Sequence, residues 1–125
     1  MRKINRIKRN EDFQKLISLR QYVSNPTFVI YYQKGKTDVF RGGISVGKKL
    51  GNAVKRNKIK RQMRMMLIEL IDVSVAVDLV IIVRKPYLSK KFAENRKDLL
   101  QLLKKVKISE NGILIEKEIL DEKIY

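Results

Sequence analysis

The strongest constraint on this chain is a helix that must bury one side and keep another covered in cations. The stretch KKLGNAVKRNKIKRQMR, from Lys48 to Arg64, carries eight lysines and arginines (Lys48, Lys49, Lys55, Arg56, Lys58, Lys60, Arg61 and Arg64) and no acid. Ile59, Met63, Met66 and Leu70 recur at steps of four, three and four, which puts them on one side of a helix. Asn57, Lys60, Arg61 and Arg64 fall at i, i+3, i+4 and i+7 on a different face. A helical face that merely meets water usually mixes Glu with Lys, because opposite charges four residues apart stabilise a helix and like charges destabilise it. Arg56–Lys60 and Lys60–Arg64 offer no such anion, so the face points to an anionic partner from outside the helix.

The wider composition agrees. The 125 residues include 29 Lys+Arg against 13 Asp+Glu, a net charge of +16, while 44% are hydrophobic, enough for one core. A polyanion relieves self-repulsion of that size, so nucleic acid is the leading partner class. An anionic membrane would require an amphipathic or lipidated anchor, and none is evident. The basic start MRKINRIKRN is not followed by the apolar stretch of a signal peptide, and no apolar run approaches a membrane span. A cytoplasmic location is expected. With Cys and His both absent, disulfides, the familiar zinc sites and His-based catalytic pairs are excluded. Asp38, Asp72 and Asp78 are scattered near element ends, unlike the carboxylate cluster of a two-metal nuclease. No catalytic residue, metal site or small-molecule cofactor is expected on the protein; the expected role is binding.

Taken in order, residues 1–9 read as a flexible basic arm. Asn10 then caps a short helix, with Glu11 and Asp12 in its first turn and Phe13, Leu16 and Ile17 on its apolar side. Residues 20–26 connect it to a strand at Thr27–Gln33, in which Phe28, Ile30 and Tyr32 point one way and Val29 and Tyr31 the other. A turn at Lys34–Asp38 leads to a second strand at Val39–Val46, and the two strands are expected to form an antiparallel hairpin. Gly42-Gly43 marks a bulge or a close backbone approach. The basic helix starts at Asn52 or Ala53 and runs to Ile71; its second half, MRMMLIELI, is apolar nearly all round and is expected to be buried, with the methionines as core filler. Leu79–Val83 reads as a strand buried on both faces. Ser89 is expected to cap a last helix whose apolar side is Phe92, Leu99, Leu102, Leu103 and Val106. The expected fold is α+β: one compact domain over residues 1–107, ordered α-β-β-α-β-α, with helices packed on a small mixed sheet. Residues 108–125 form an acidic tail, not an independent domain, which holds Glu110, Glu116, Glu118, Asp121 and Glu122; without it residues 1–107 carry a net +19. That tail is compatible with a β-hairpin turning at Asn111-Gly112, a short helix, or disorder.

The run GNAVKRNKIKRQMR with the preceding ISVGKKL resembles the signature of the bacterial ribonuclease P protein family. The matching residues are Ser45, Lys48, Lys49, Gly51, Ala53, Val54, Arg56, Asn57, Lys60, Arg61 and Arg64, and the likeness extends to KRNEDFQKLI, FVIYY and LVIIVRKP, roughly residues 7–103. The resemblance implies a fold like the second domain of ribosomal protein S5, with a left-handed crossover through the basic helix. It also implies an accessory role: a large catalytic RNA removes the 5′ leader of precursor tRNA, using Mg2+ held mainly by RNA and substrate. Carried over, Lys48, Lys49, Lys55, Arg56, Asn57, Lys58, Lys60, Arg61 and Arg64 would bind RNA. Phe13, Ile17, Tyr31, Ser45 and Lys48 would line or rim a cleft for the single-stranded leader. Two positions depart from the family pattern: Lys58 stands where a second Arg is usual, and Ile17 where an aromatic is common. The rival readings are a ribosomal or other structural RNA-binding protein of the same fold, a DNA-binding regulator, and a metal-dependent nuclease acting alone.

Overall fold

The computed structural model describes residues 1–108 and 111–115. Helix α1 spans Asn10–Ser18, strands β1, β2 and β3 span Tyr22–Ser24, Phe28–Lys34 and Arg41–Val46, and helix α2 spans Ala53–Leu70. Strand β4 follows at Val77–Val83, then helix α3 at Phe92–Leu103 and a short pair, β5 (Lys107–Ile108) and β6 (Asn111–Gly112). The α+β class and the mixed sheet are as expected. No helix among the described residues is long and apolar enough to cross a membrane.

The pairing of the strands corrects the expected hairpin. The main sheet has the order β1-β2-β4-β3. β4 pairs antiparallel with β2 and parallel with β3, so β2 and β3 never touch as neighbours. The reason is the apolar run of β4: only Ile82 among its seven residues is more than marginally exposed. An edge position would leave one row of its backbone groups unpaired, whereas the centre pairs both. A parallel pair needs a long crossover, and α2 supplies it. β1 falls within the expected connection 20–26, because three residues carry too little alternation to signal a strand; it lies at the free edge, opposite β2.

α2 packs Ile59, Met63, Met66, Leu67 and Leu70 into the main core with Phe28, Ile30, Leu79 and Ile81. Its expected burial on all sides is corrected: Met65 and Ile68 are about half exposed, because the sheet and α3 cover only one side. Its entry is set by Gly51, whose φ of 138° lies where a side chain is strained, and by Asn52, whose side chain accepts a 2.9 Å hydrogen bond from Lys55 N. Asn52 is therefore the cap, which fits the expected start. At α1 the cap position falls on Arg9 with no side-chain bond, not on Asn10. Ser89 does not cap α3 either; its hydroxyl donates to Pro86 O within a 3-10 turn, and Lys91 occupies the cap position. Phe92 is 37% exposed, while Leu99, Leu102, Leu103 and Val106 are buried as expected.

A second, smaller cluster lies on the other face of the sheet, where Ile7, Leu16 and Val80 are buried beneath Phe13, Tyr31 and Ile82. Ile7 corrects the expected flexible arm. Residues Lys3–Asn5 form a 3-10 turn, Asn5 donates to Phe40 O at 2.7 Å, and Ile7 N donates to Gly42 O at 3.0 Å. One apolar residue among cations is enough to dock the segment against β3. Of the acidic tail, residues 109–110 and 116–125 lie outside the described residues, and with them all five acids. The described part is an antiparallel β5–β6 pair, so Asn111-Gly112 is its second strand and not its turn. Packing continues to Ile115: Ile113 and Leu114 are buried, Asp72 N donates to Ile113 O, and Ile115 N donates to Leu70 O.

Candidate nucleic-acid interface

Successive residues of a helix point about 100° apart, so the cations of α2 are shared among several surfaces. Lys60 and Arg64 face the docked N-terminal segment. With Arg6, Lys8, Phe13 and Gly43 they line a cavity of about 370 Å³. Lys60 also lines a neighbouring hollow of about 300 Å³ with Lys8, Asn10, Phe13, Ile44 and Ser45. Neither lining contains an acid. The Nε atoms of Arg6 and Arg56 are buried and meet no hydrogen-bond partner among the described residues. Burial lowers the pKa of the Arg64 guanidinium, and the charge of Arg6 lowers it further. Here cations are gathered, partly dried and left without a counter-ion, which is costly unless an anion fills the space.

Other predicted RNA-binding residues lie elsewhere. Asn57 and Arg61 are exposed on the outer face of α2. Lys55 and Lys58 fall on the opposite flank, where they line a cavity of about 200 Å³ with Gln62, Tyr87, Phe92 and Asn95. Lys48 and Lys49, in the 3-10 turn Lys48–Leu50, line a shallow basin of about 720 Å³ with Ser45, Ile82, Arg84 and Lys85. Arg6, Lys8, Arg84 and Lys85 thus join the basic surface without having been picked out as site residues. For Arg6 and Lys8 the available signal was the apolar Ile7 between them.

The cleft between these surfaces is a sheet face. Directly opposite residues share a face, which gives one row of Ser24, Val29, Ile82 and Ser45 and a second of Tyr22, Tyr31, Val80 and Gly43. α1 covers Val80, while Val29, Tyr31, Ile82 and Ser45 stay partly exposed beside Phe13 and Ile17. The expected close approach at Gly43 is found: a Cβ there would lie within 3.0 Å of the Phe13 ring, so only glycine lets that ring settle on β3. At the end of the face, Arg41 grips the fully buried Asp78 through two hydrogen bonds, 3.1 Å from Nε and 2.8 Å from Nη2. That bond holds the Arg41 pKa above its ordinary value against the opposing effect of burial. A second paired acid, Asp98, sits behind the sheet: burial raises its pKa, but bonds from Lys90 and Thr27 outweigh this and hold it below the usual carboxylate range. Asp72 accepts from Ser74 in a turn.

Fold and surface together define a class: a small α+β domain whose single parallel strand pair is bridged by a strongly cationic helix, beside an open aromatic cleft. The chain belongs to the ribonuclease P protein family, whose family model, described as Ribonuclease P, matches residues 1–107. It is 45% identical over 118 residues to the ribonuclease P protein component of Streptococcus equi subsp. equi, covering 94% of this chain and 99% of that one. It is 50% identical over 99 residues to that of Mesoplasma florum, covering 78% and 90%. Among solved structures, the Staphylococcus aureus protein superposes with a TM-score of 0.71 at 40% identity, covering 80% of this chain and 93% of that one. The Thermotoga maritima protein gives 0.73 at 31% identity, covering 82% and 98%. Membership carries a role in tRNA processing as the protein component of a ribonucleoprotein nuclease.

Proposed function

We propose that this chain is the protein subunit of ribonuclease P, binding a catalytic RNA and the 5′ leader of precursor tRNA so that Mg2+-dependent removal of the leader proceeds. The observation that carries the reading is the acid-free cavity between Arg6, Lys60 and Arg64, in which the buried Nε of Arg6 meets no hydrogen-bond partner among the described residues. A phosphate would supply the missing anion and acceptor together. Each phosphate so neutralised releases counter-ions, which makes the affinity steeply salt-dependent. Arg56, Asn57, Lys60, Arg61 and Arg64 would contact the catalytic RNA and substrate near the scissile bond, with Lys48, Lys49, Lys55 and Lys58 on the flanks. Phe13, Tyr31, Ser45 and Ile82 would hold unpaired leader bases, two of them by ring stacking.

Among the described residues no three carboxylates cluster, and Asp78 and Asp98 are committed to Arg41 and Lys90. In this reading Mg2+ is held mainly by RNA and substrate, and the protein acts by positioning phosphates and reducing their mutual repulsion. The working compartment of such a particle is the cytoplasm. Reconstitution tests this: with a catalytic RNA of the same source, the chain should restore leader cleavage at Mg2+ too low for the RNA alone. No gain on adding the chain would refute the assignment.

A further inference from the structure

One exposed ring extends the cleft beyond the residues assigned to it so far. Tyr22 lies on β1, the free edge of the sheet, directly opposite Tyr31. Opposite residues project from the same face, so Tyr22 stands on the α1 side with the cleft residues. Its ring meets that of Tyr31 with centroids 5.4 Å apart and planes at 44°. Tyr31 and Phe13 both pack against the cluster of Leu16 and Val80. Aromatic rings thus stand toward both ends of this row, Phe13 over Gly43 of β3 and Tyr31 with Tyr22 at the sheet edge. Tyr22 ends the series and is 54% exposed, so much of its ring is open to solvent.

We propose that Tyr22 is a further leader-binding residue, a platform on which an unpaired base stacks at the end of the cleft remote from α2. The inference rests on the reading that the leader occupies this cleft. The contact with Tyr31 sets the orientation of the ring before any ligand arrives, and a tyrosine has few rotamers to lose, so little ordering cost attends stacking. Every base offers a π-face, so the platform is tolerant of sequence. Three inter-strand steps, about 14 Å, separate Tyr22 from the β3 end of its row. The base on Tyr22 is therefore several nucleotides away from one held at Phe13. Ile17 on α1 is aliphatic and offers no ring of its own, which leaves Tyr22 and Tyr31 as the stacking surface on the outer part of the face. A ring that served only to shield the sheet edge would be replaceable by any apolar side chain of similar bulk.

The test uses the holoenzyme and measures affinity for precursor tRNAs of increasing leader length, each as a ratio to leaderless tRNA. Tyr22→Ala and Tyr22→Leu should each lower this ratio about tenfold once the leader is long enough to reach β1, and Tyr22→Phe should keep it. Leu retains apolar cover at the edge, so a loss in that variant separates stacking from folding. Removing single leader bases should reveal one position that costs the unsubstituted enzyme about tenfold and the Tyr22→Ala enzyme nothing, the coupling expected of two groups in contact. A leader preference that survives both Tyr22→Ala and Tyr22→Leu overturns the role of Tyr22. If the unsubstituted enzyme shows no leader preference at all, the cleft reading itself fails and takes this proposal with it.

Discussion

Arg6 and Arg64 line one acid-free cavity, where their like charges oppose each other and an anion would relieve the crowding. Arg64→Ala and Arg61→Ala should each flatten the salt dependence of RNA binding by about one unit of slope, read from log affinity against log salt. They should differ in stability. Arg61 is exposed and alone on the outer face, so its loss leaves thermal unfolding unchanged. Arg64 is crowded by Arg6, so Arg64→Met, which keeps the stem and removes the charge, should unfold no earlier than the unsubstituted protein. The backbone carries a residue-scale strain as well: Arg20, just after α1, has a φ of 56°, the left-handed conformation that favours glycine. Arg20→Gly should raise stability by about 0.5–1 kcal/mol in denaturant titration. Lys58 sits on the opposite flank of α2 from Lys60 and Arg64, so it does not complete their cavity.

At the scale of elements, α2 is held between two different contacts, the cationic cavity on one flank and the 3-10 turn Lys85–Ser89 on the other. Tyr87 makes the second contact: it is buried and donates to Gln62 Oε1 at 2.8 Å. Desolvation pushes its pKa up to about 12. A raised pKa means that the fold favours the neutral phenol. The stabilisation is complete below the unfolded value of about 10 and is lost as pH rises through the folded value of about 12. Loss of the bond to Gln62 should make the Tyr87→Phe variant less stable than the unsubstituted protein by about 1 kcal/mol at neutral pH in denaturant titration, and the gap should close above about pH 10 as the tyrosine loses its advantage. Periodicity located the long elements, α2 and β4, because each repeats its signal over many residues. It missed β1, whose three residues hold too few repeats, and the N-terminal segment, whose docking combines one apolar side chain, Ile7, with hydrogen bonds from Asn5 and Ile7 that leave no periodic signal.

For the whole molecule, the core does not stop where the charge pattern changes. Ile113 is fully buried among residues of the main core, and the segment it belongs to bonds to Leu70 and Asp72 at the end of α2. Ile113→Ala should cost about 3 kcal/mol of stability, and deletion from residue 109 onward should cost at least as much, both measured by urea unfolding. Acidic composition marked 108–125 as a tail, but Ile113, Leu114 and Ile115 form an apolar run within it, and burial follows apolar area whatever the surrounding charge. The family model's match ends at residue 107, while the alignment with the Streptococcus equi relative covers 94% of the chain and so reaches into this segment.

Local spacing in the chain was enough to establish the two-sided helix α2, the buried strand β4, the α+β class and a strongly cationic surface. Those properties repeat every two or three to four residues, within reach of a single element. The order β1-β2-β4-β3, the docking of Ile7 and the meeting of Arg6 with Arg64 join residues far apart in the chain. No local rule favours bringing like charges together or prefers one strand partner to another. Those choices came from burying β4 on both sides and closing the smaller cluster around Val80, and the cationic cavity is the by-product of that packing on which the proposed function depends.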